Sequence, residues 1–246
     1  MDISIVIPVY NEQECIESSL REVFGVVEKM SGDIEVLAVD DGSSDRTPEI
    51  LKELASKNRC LRILTLKPNS GQSAALGTGF RRAKGDVIVM LDADGQNDPA
   101  DIPELVARLK ESDMCCGYRA NRQDTWARRY GSKLANWCRD RMLGDGIRDT
   151  GCTIRAVKAE YLRDVAIWNG MHRFIPALVI MKGAKIKQIP VNHRARTAGT
   201  SKYTNFGRLR VTIADLFAVR WMQKRHRKFT VEEGGAGGDK EEQRGE

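Results

Sequence analysis

The sequence predicts an α/β fold, a mostly parallel sheet flanked by helices, from three observations. Short runs rich in Ile and Val alternate with segments whose apolar residues fall at helical spacing. The Ile/Val runs are continuous rather than alternating with polar residues, as in strands buried on both faces. The first, second and fourth runs stop at polar residues, Tyr10-Asn11-Glu12, Asp40-Asp41 and Asp92/Asp94. Parallel sheets bind ligands beyond the carboxyl ends of their strands, so these three breaks mark a site before any chemistry is assigned.

The elements follow in order. Ile3–Tyr10 reads as a strand, and Glu12–Lys29 as a helix with Ile16, Leu20 and Val23 on one face. Ile34–Val39 is the second strand. A helix from Asp45–Thr47 to Lys57 follows it, with Pro48 in the first turn where its missing N–H does no harm. Leu61–Leu66 is the third strand, Gly71–Lys84 a helix of small residues, and Asp86–Leu91 the fourth strand. Beyond lie a helix over Asp101–Lys110, a strand over Met114–Tyr118, further strands over Gly151–Ala156 and Ile186–Val191, and a helix near Arg173–Lys182 between these last two. The helix expected over Asn205–Arg227 carries Phe206, Leu209, Ile213, Leu216 and Phe217 among Arg208, Arg210, Arg220, Lys224 and Arg225. The chain divides into a catalytic domain over 1–204, the basic amphipathic helix over 205–229, and a Gly-rich charged tail over 230–246 expected to be disordered.

The 246 residues carry a net charge of +6, which suits nucleic acid, anionic lipid or a phosphate-bearing substrate without choosing among them. The six cysteines form no C-x-x-C pair and no zinc-ligand spacing, so they read as reduced cytosolic thiols. Met1-Asp2-Ile3-Ser4 leads straight into a strand without the features of a signal peptide. The longest apolar runs, 87–91 and 174–181, fall short of the roughly 18 residues of a spanning helix.

The sharpest chemical feature is Asp92-x-Asp94. Two carboxylates on alternate residues at a strand end can reach one hard divalent cation, with Gln96 as a third oxygen, and such a cation offsets the charge of a departing diphosphate. An Asp of the Asp40-Asp41-Gly42-Ser43 turn can accept hydrogen bonds from nucleobase N–H groups, or cap the turn, or the two can divide these roles. Residues 119–141 concentrate Arg119, Arg122, Arg128, Arg129, Lys133, Arg139 and Arg141 against only Asp124 and Asp140. Such a segment positions a phosphate by forked hydrogen bonds. Nucleic acid is set aside, because Trp126, Tyr130 and Trp137 are too few to stack bases and that reading leaves the paired aspartates unexplained. A nucleotidyltransferase would want a Gly-rich basic loop where Tyr10-Asn11-Glu12-Gln13 stands.

Ile5-Val6-Ile7-Pro8-Val9-Tyr10-Asn11-Glu12, Val39-Asp40-Asp41-Gly42-Ser43-Ser44-Asp45 and Leu91-Asp92-Ala93-Asp94-Gly95-Gln96 resemble family 2 glycosyltransferases. Gly117 to Asp124, Asp149 to Arg155, and His193-Arg194-x-Arg196-x-x-Gly199-x-Ser201-Lys202-Tyr203 are similar to the branch that acts on polyprenyl phosphates: dolichyl-phosphate mannosyltransferases, bactoprenyl-phosphate glucosyltransferases and undecaprenyl-phosphate formamidoarabinose transferases. The resemblance covers nearly all of residues 3–222. It implies a GT-A, Rossmann-like sheet and inverting transfer of one sugar from GDP-mannose or a UDP-hexose to dolichyl or undecaprenyl phosphate. Another acceptor in cell-envelope synthesis is the alternative. By position, Pro8, Tyr10, Glu12, Asp41, Gln72, Asp92, Arg196 and Lys202 would hold the donor, and Asp92, Asp94 and Gln96 a Mg or Mn ion. Arg119, Arg128, Arg129 and Lys133 would hold the acceptor phosphate, and Asp94, Asp149, Arg119 and Arg129 would surround the reaction. Many relatives end in two membrane-spanning helices that are not seen here. The resemblance therefore implies an enzyme on the cytoplasmic membrane face, bound peripherally through the 205–229 helix, whose alternative roles are packing on the domain or on a second subunit of a homo-oligomer. A processive polysaccharide synthase is set aside, since Phe217-Ala218-Val219-Arg220-Trp221 lacks the Gln of Gln-x-x-Arg-Trp.

Overall fold

The computed structural model describes residues 2–120, 136–194 and 205–227, with the backbone alone for 205–211. Its strands are β1 (Ile3–Val9), β2 (Ile34–Asp40), β3 (Leu61–Thr65), β4 (Val87–Met90), β5 (Met114–Arg119), β6 (Arg155–Lys158) and β7 (Ile186–Val191). They form one sheet in the order β3-β2-β1-β4-β6-β5-β7. All run parallel except β6, which is antiparallel to both β4 and β5. The chain steps outward from β1 to β3 and returns to β4 on the other side of β1, so strand order reverses between β1 and β4. That reversal opens a crevice at their carboxyl ends.

The continuous apolar runs are buried on both faces, as expected. Ile3, Ile5, Ile7 and Val9 of β1 pack with Ile16, Leu20 and Val23 of α1 (Ile16–Val27), Leu51 of α2 (Thr47–Lys57) and Ile102 and Leu105 of α4 (Ile102–Ala107). On the opposite face Val6, Leu37 and Val39 pack with Ala75 and Phe80 of α3 (Gln72–Arg82) and Ile175 and Val179 of α6 (Ile175–Met181). Truncating a fully buried Ile or Leu here to Ala would destabilise by about 2–5 kcal/mol. The small residues of α3 serve close approach: a Cβ on Gly79 would collide with the Val6 side chain.

Pro8 lies in a central strand, where a missing N–H normally breaks the ladder. The β1–β4 register ends at Val6↔Met90, while β1–β2 pairing continues to Val9↔Asp40. Val6 faces β4, accepting the Leu91 N–H at 3.2 Å, and Val9 faces β2, accepting the Asp41 N–H at 2.8 Å. Pro8 shares the Val6 side, so its nitrogen falls where β4 has already turned away.

At the opposite, amino-terminal end, Glu35 ties three strands together. Its carboxylate accepts from the Ser4 hydroxyl at 2.6 Å and the Lys84 amide at 2.7 Å, and pairs with Arg62. Burial pushes the Glu35 carboxyl up, but these donors and the Arg62 charge outweigh it and hold the group below its ordinary value.

Two expectations shift. The strand expected over Gly151–Ala156 forms at Arg155–Lys158 instead, because the stretch before it is a loop whose donors go to side chains: the Gly151 N–H is taken by Asp149 Oδ1 at 3.1 Å. The Asp101–Lys110 helix is α only over Ile102–Ala107, with 3-10 turns at Pro99–Asp101 and Arg108–Lys110. Residues 136–143 are helical (α5). The last helix, α7, spans Asn205–Arg225, and its apolar residues divide between two faces: Val219 is buried with Leu216 and Met222 against the core, whereas Ile213, Phe217 and Trp221 are exposed. No helix of the described residues is long and apolar enough to cross a membrane. The 230–246 tail lies outside the described residues.

Candidate active site

The loops after β1 and β2 are zipped together. Asn11 adopts a positive φ of 51°, which lets its Oδ1 accept the Ser44 N–H at 2.8 Å while its own N–H reaches Ser43 Oγ at 2.9 Å. The Glu12 N–H donates to Thr47 Oγ1 at 2.9 Å, and Asp45 takes both the Gln13 and the Thr47 N–H groups. The Glu12 carboxylate accepts from the Cys15 thiol at 2.9 Å. Tyr10 stands at the rim, 37% exposed.

Asp40 and Asp41 are both buried and do different things. Asp40 Oδ1 accepts the Ser43 N–H at 3.0 Å and shapes the turn. Asp41 holds the loop between β3 and α3: Oδ1 accepts the Ser70 N–H at 2.8 Å, and Oδ2 accepts the Gly71 N–H at 2.7 Å and Asn69 Nδ2 at 2.9 Å. Gly42, at φ 73°, is pressed against the Asn69 and Leu66 backbone, so neither its conformation nor its space suits another residue. Asp41 thus places the start of α3, and with it Gln72.

Gln72 Nε2 donates to Asp92 Oδ1 at 3.1 Å. Asp92 is partly buried, and desolvation together with the Asp94 charge raises its carboxyl from the ordinary range to about 6, against hydrogen bonding from Thr153 and the Arg155 charge. Asp94 Oδ1 accepts the Gln96 N–H at 3.1 Å, and Gly95 at φ 69° turns the chain between them. Asn97 Nδ2 donates to Thr153 Oγ1 at 2.8 Å, and the Asn97 backbone bridges to His193. A cavity of about 30 Å³ lies beside Asp92, lined by Gln72, Thr150, Thr153, Arg155 and His172 among others.

Two carboxylates repelling across one short turn suit a hard cation. Among the described residues no group of three or more His, Cys, Asp or Glu side chains converges to hold a metal. A two-carboxylate set therefore fits an ion shared with substrate phosphates rather than one caged by protein alone.

Across the crevice, Arg119 ends β5 and pairs with Asp149 in forked geometry, Nε to Oδ2 at 2.7 Å and Nη2 to Oδ1 at 2.8 Å. Both side chains are largely buried. The loop from Asp149 to Thr153 joins the two halves: Asp149 holds Arg119 at one end, while Thr150 and Thr153 line the cavity beside Asp92 at the other. Arg128, Arg129, Lys133, Arg196 and Lys202 lie outside the described residues.

Sequence reasoning passed over Thr153, Asn97 and Arg155. Arg155 is 2% exposed; it donates to the Thr150 carbonyl at 3.2 Å and the His172 carbonyl at 3.4 Å, while its Nε is buried without a partner. The signal was an arginine inside the run Thr153-Ile154-Arg155-Ala156-Val157, where only a polar interior would receive it. His172 bonds Ser73 Oγ through Nδ1 at 2.8 Å, fastening the 3-10 turn at Met171–Arg173 to α3.

The sequence profile described as Glycosyl transferase family 2 matches residues 4–166. The undecaprenyl-phosphate 4-deoxy-4-formamido-L-arabinose transferase of Edwardsiella ictaluri is 39% identical over 204 residues, which are 82% of this chain and 62% of that protein's length. Glucosyl-3-phosphoglycerate synthase from Mycobacterium tuberculosis, solved with Mn2+, UDP and phosphoglyceric acid, superposes with a TM-score of 0.67 at 19% identity, covering 92% of this chain and 80% of that one. The same enzyme with Mn2+ and UDP-glucose gives 0.67 at 20% identity over 89% and 79%. These two likenesses establish the fold.

Proposed function

The chain belongs to glycosyl transferase family 2, and from that premise we propose that it transfers a single sugar from a nucleotide-sugar to a polyprenyl phosphate at the cytoplasmic face of a membrane. The observation that carries the reading is the loop over 149–153, which borders the Asp92 cavity with one end and clasps Arg119 with the other. An anionic donor and an anionic acceptor have to meet, and that loop runs from the Arg119–Asp149 ion pair to the cavity beside Asp92. The relative from E. ictaluri, whose name specifies an undecaprenyl-phosphate acceptor, supports the acceptor class.

In this reading Pro8, Tyr10, Glu12 and Asp41 border the nucleoside, and Gln72 orients Asp92. Asp92 and Asp94, with Gln96 beside them, would hold Mg2+ or Mn2+, which offsets charge on the leaving diphosphate. Arg119, oriented by Asp149, would contact the acceptor phosphate, with Arg128, Arg129 and Lys133 in support; Arg196 and Lys202 would contact the donor diphosphate. A phosphate oxygen forms its bond to the anomeric carbon as the bond to the nucleoside diphosphate breaks, and the electron pair departs with that diphosphate. The configuration inverts. No general base is required, because the acceptor phosphate is already ionised near neutral pH. Asp149 accordingly acts as a positioning residue.

The exposed Ile213, Phe217 and Trp221, beside Arg220, Lys224 and Arg225, give α7 the composition of a helix that rests on an anionic lipid surface. Flotation with anionic liposomes tests this: Phe217→Ser with Trp221→Ser should leave the lipid fraction, and unchanged flotation would refute it. Self-association of the wild type lost in the same variant would instead assign that face to a homo-oligomer. Transfer itself is tested with labelled GDP-mannose and UDP-hexoses. Label should become lipid-extractable with polyprenyl phosphate; label found only on water-soluble phosphates would favour another acceptor.

A further inference from the structure

The turn that carries Asp94 and Gln96 is held by the segment that leaves β7. Gln96 is gripped on both sides of its backbone: its N–H goes to Asp94 Oδ1 at 3.1 Å, and its carbonyl accepts the Arg194 N–H at 2.9 Å. Asn97 pairs with His193 in a single antiparallel bridge, and Asp101 Oδ2 accepts the Asn192 N–H at 2.8 Å. One bridge is too short a ladder to hold its register alone. The Arg194 side chain adds two anchors on different elements. Its Nη2 meets Asp98 Oδ2 at 3.0 Å in the loop after β4, and its Nη1 donates to Glu22 Oε2 at 2.6 Å on α1. Asp98 is itself fixed, since its Oδ1 accepts the Ala100 N–H at 3.0 Å and caps the 3-10 turn that follows. A planar guanidinium spans two carboxylates with separate donors in one fixed geometry, which an ammonium does not.

We infer that Arg194 is a positioning residue for Asp94 and Gln96: by clamping the end of β7 to Asp98 and to α1, it fixes the amide that holds the Gln96 carbonyl, and through Gln96 the Asp94 carboxylate. The turn is thereby referred to α1, whose Ile16, Leu20 and Val23 are anchored in the core. The Arg194 side chain is 44% exposed, and ion pairs at such positions contribute little to stability. Its effect belongs instead to ligand geometry, where losing an outer partner typically weakens metal binding by about 10–100-fold. The inference rests on the reading that Asp92 and Asp94, with Gln96 beside them, hold a divalent cation together with a nucleoside diphosphate.

The test is titration of Mn2+ in the presence of UDP, reading free Mn2+ by electron paramagnetic resonance so that no turnover is needed. Arg194→Ala removes a positive charge paired with the loop that carries Asp94, so simple attraction would tighten Mn2+ binding. The inference predicts the reverse, a weakening of about tenfold, with the urea midpoint nearly unchanged. Arg194→Lys, which keeps one ion pair, should fall between. Glu22→Gln should weaken Mn2+ binding in the wild type and add nothing in the Arg194→Ala background, because both act through one contact. Wild-type or tighter Mn2+ binding in Arg194→Ala, or a Glu22→Gln effect that is absent or equal in the two backgrounds, would overturn the inference and leave the metal reading standing. Where Arg194→Ala fails to fold, Glu22→Gln alone decides: unchanged Mn2+ affinity would overturn the inference. Wild-type protein that leaves Mn2+ free at every concentration would overturn the metal reading, and this inference with it.

Discussion

The two ends of the sheet treat a carboxylate in opposite ways. At the amino-terminal end Glu35 is enclosed by a hydroxyl, a backbone amide and a guanidinium, and is held below its ordinary value. At the carboxyl end Asp92 has the Gln72 amide for a donor, while burial and the Asp94 charge outweigh the Arg155 charge, and it is raised to about 6. Both are removed from water, so burial alone does not make a reactive site. What separates them is whether the surroundings complete the charge or leave it wanting a cation. The amino-terminal end spends its donors on holding strands together, and the carboxyl end keeps a deficit that a ligand can fill.

The largest expected effect is at the deficit. Asp94→Asn should reduce sugar transfer by about 10³-fold, equivalent to about 4 kcal/mol of lost transition-state stabilisation, and abolish any response to added Mg2+ or Mn2+. Circular dichroism should show the fold retained. Next comes the satisfied end. Glu35→Ala orphans the Ser4 and Lys84 donors and the Arg62 charge, and should destabilise by about 2–3 kcal/mol in urea unfolding, with activity per folded molecule unchanged. If Glu35→Ala instead impaired catalysis in protein that remained folded, the division between the two ends would break.

Asp92→Asn should go the other way. In metal-free protein at pH 7 it removes a charge the fold disfavours, and should stabilise by about 1–2 kcal/mol while abolishing transfer. The pH dependences oppose each other. Glu35, depressed when folded, contributes stability above its unfolded value and loses it as pH falls through the folded one. Asp92, raised when folded, holds a proton between its ordinary value and about 6 that the unfolded chain has released, so its contribution declines as pH rises through that window. Thermal melts of Asp92→Asn in chelator should therefore lack that decline. The smallest effect is expected across the crevice. Asp149→Asn loosens the clasp on Arg119 and should raise the acceptor KM by about tenfold, roughly 1.4 kcal/mol, with the donor KM unchanged.

The sheet was legible because its strands are unbroken Ile/Val runs, and a strand buried on both faces has few other ways to be written. Residues placed by backbone topology, such as Tyr10, Asp41 and Asp92, could be read from where those runs stop. The offset of β6 could not: Asp149 diverts the Gly151 amide, and a side chain that captures a backbone donor leaves no periodic trace. The link from Asn97 to Thr153 spans 56 positions, so it exists only once the sheet has formed. Asp41 was expected at the nucleobase, and its carboxylate is found anchoring residues 69–71, a task compatible with bordering the nucleoside but invisible in the Asp-Asp-Gly-Ser pattern. On α7 the apolar stripe was visible; its division into a core-facing and an exposed set depends on where the helix lands.

The most direct test of the central claim is a transfer assay with labelled nucleotide-sugars and undecaprenyl phosphate, run with and without chelator and with Asp94→Asn alongside. Label should pass into the organic phase only for wild-type protein with free divalent cation. Equal transfer in chelator or in Asp94→Asn, or no transfer to the lipid from any sugar, would contradict it.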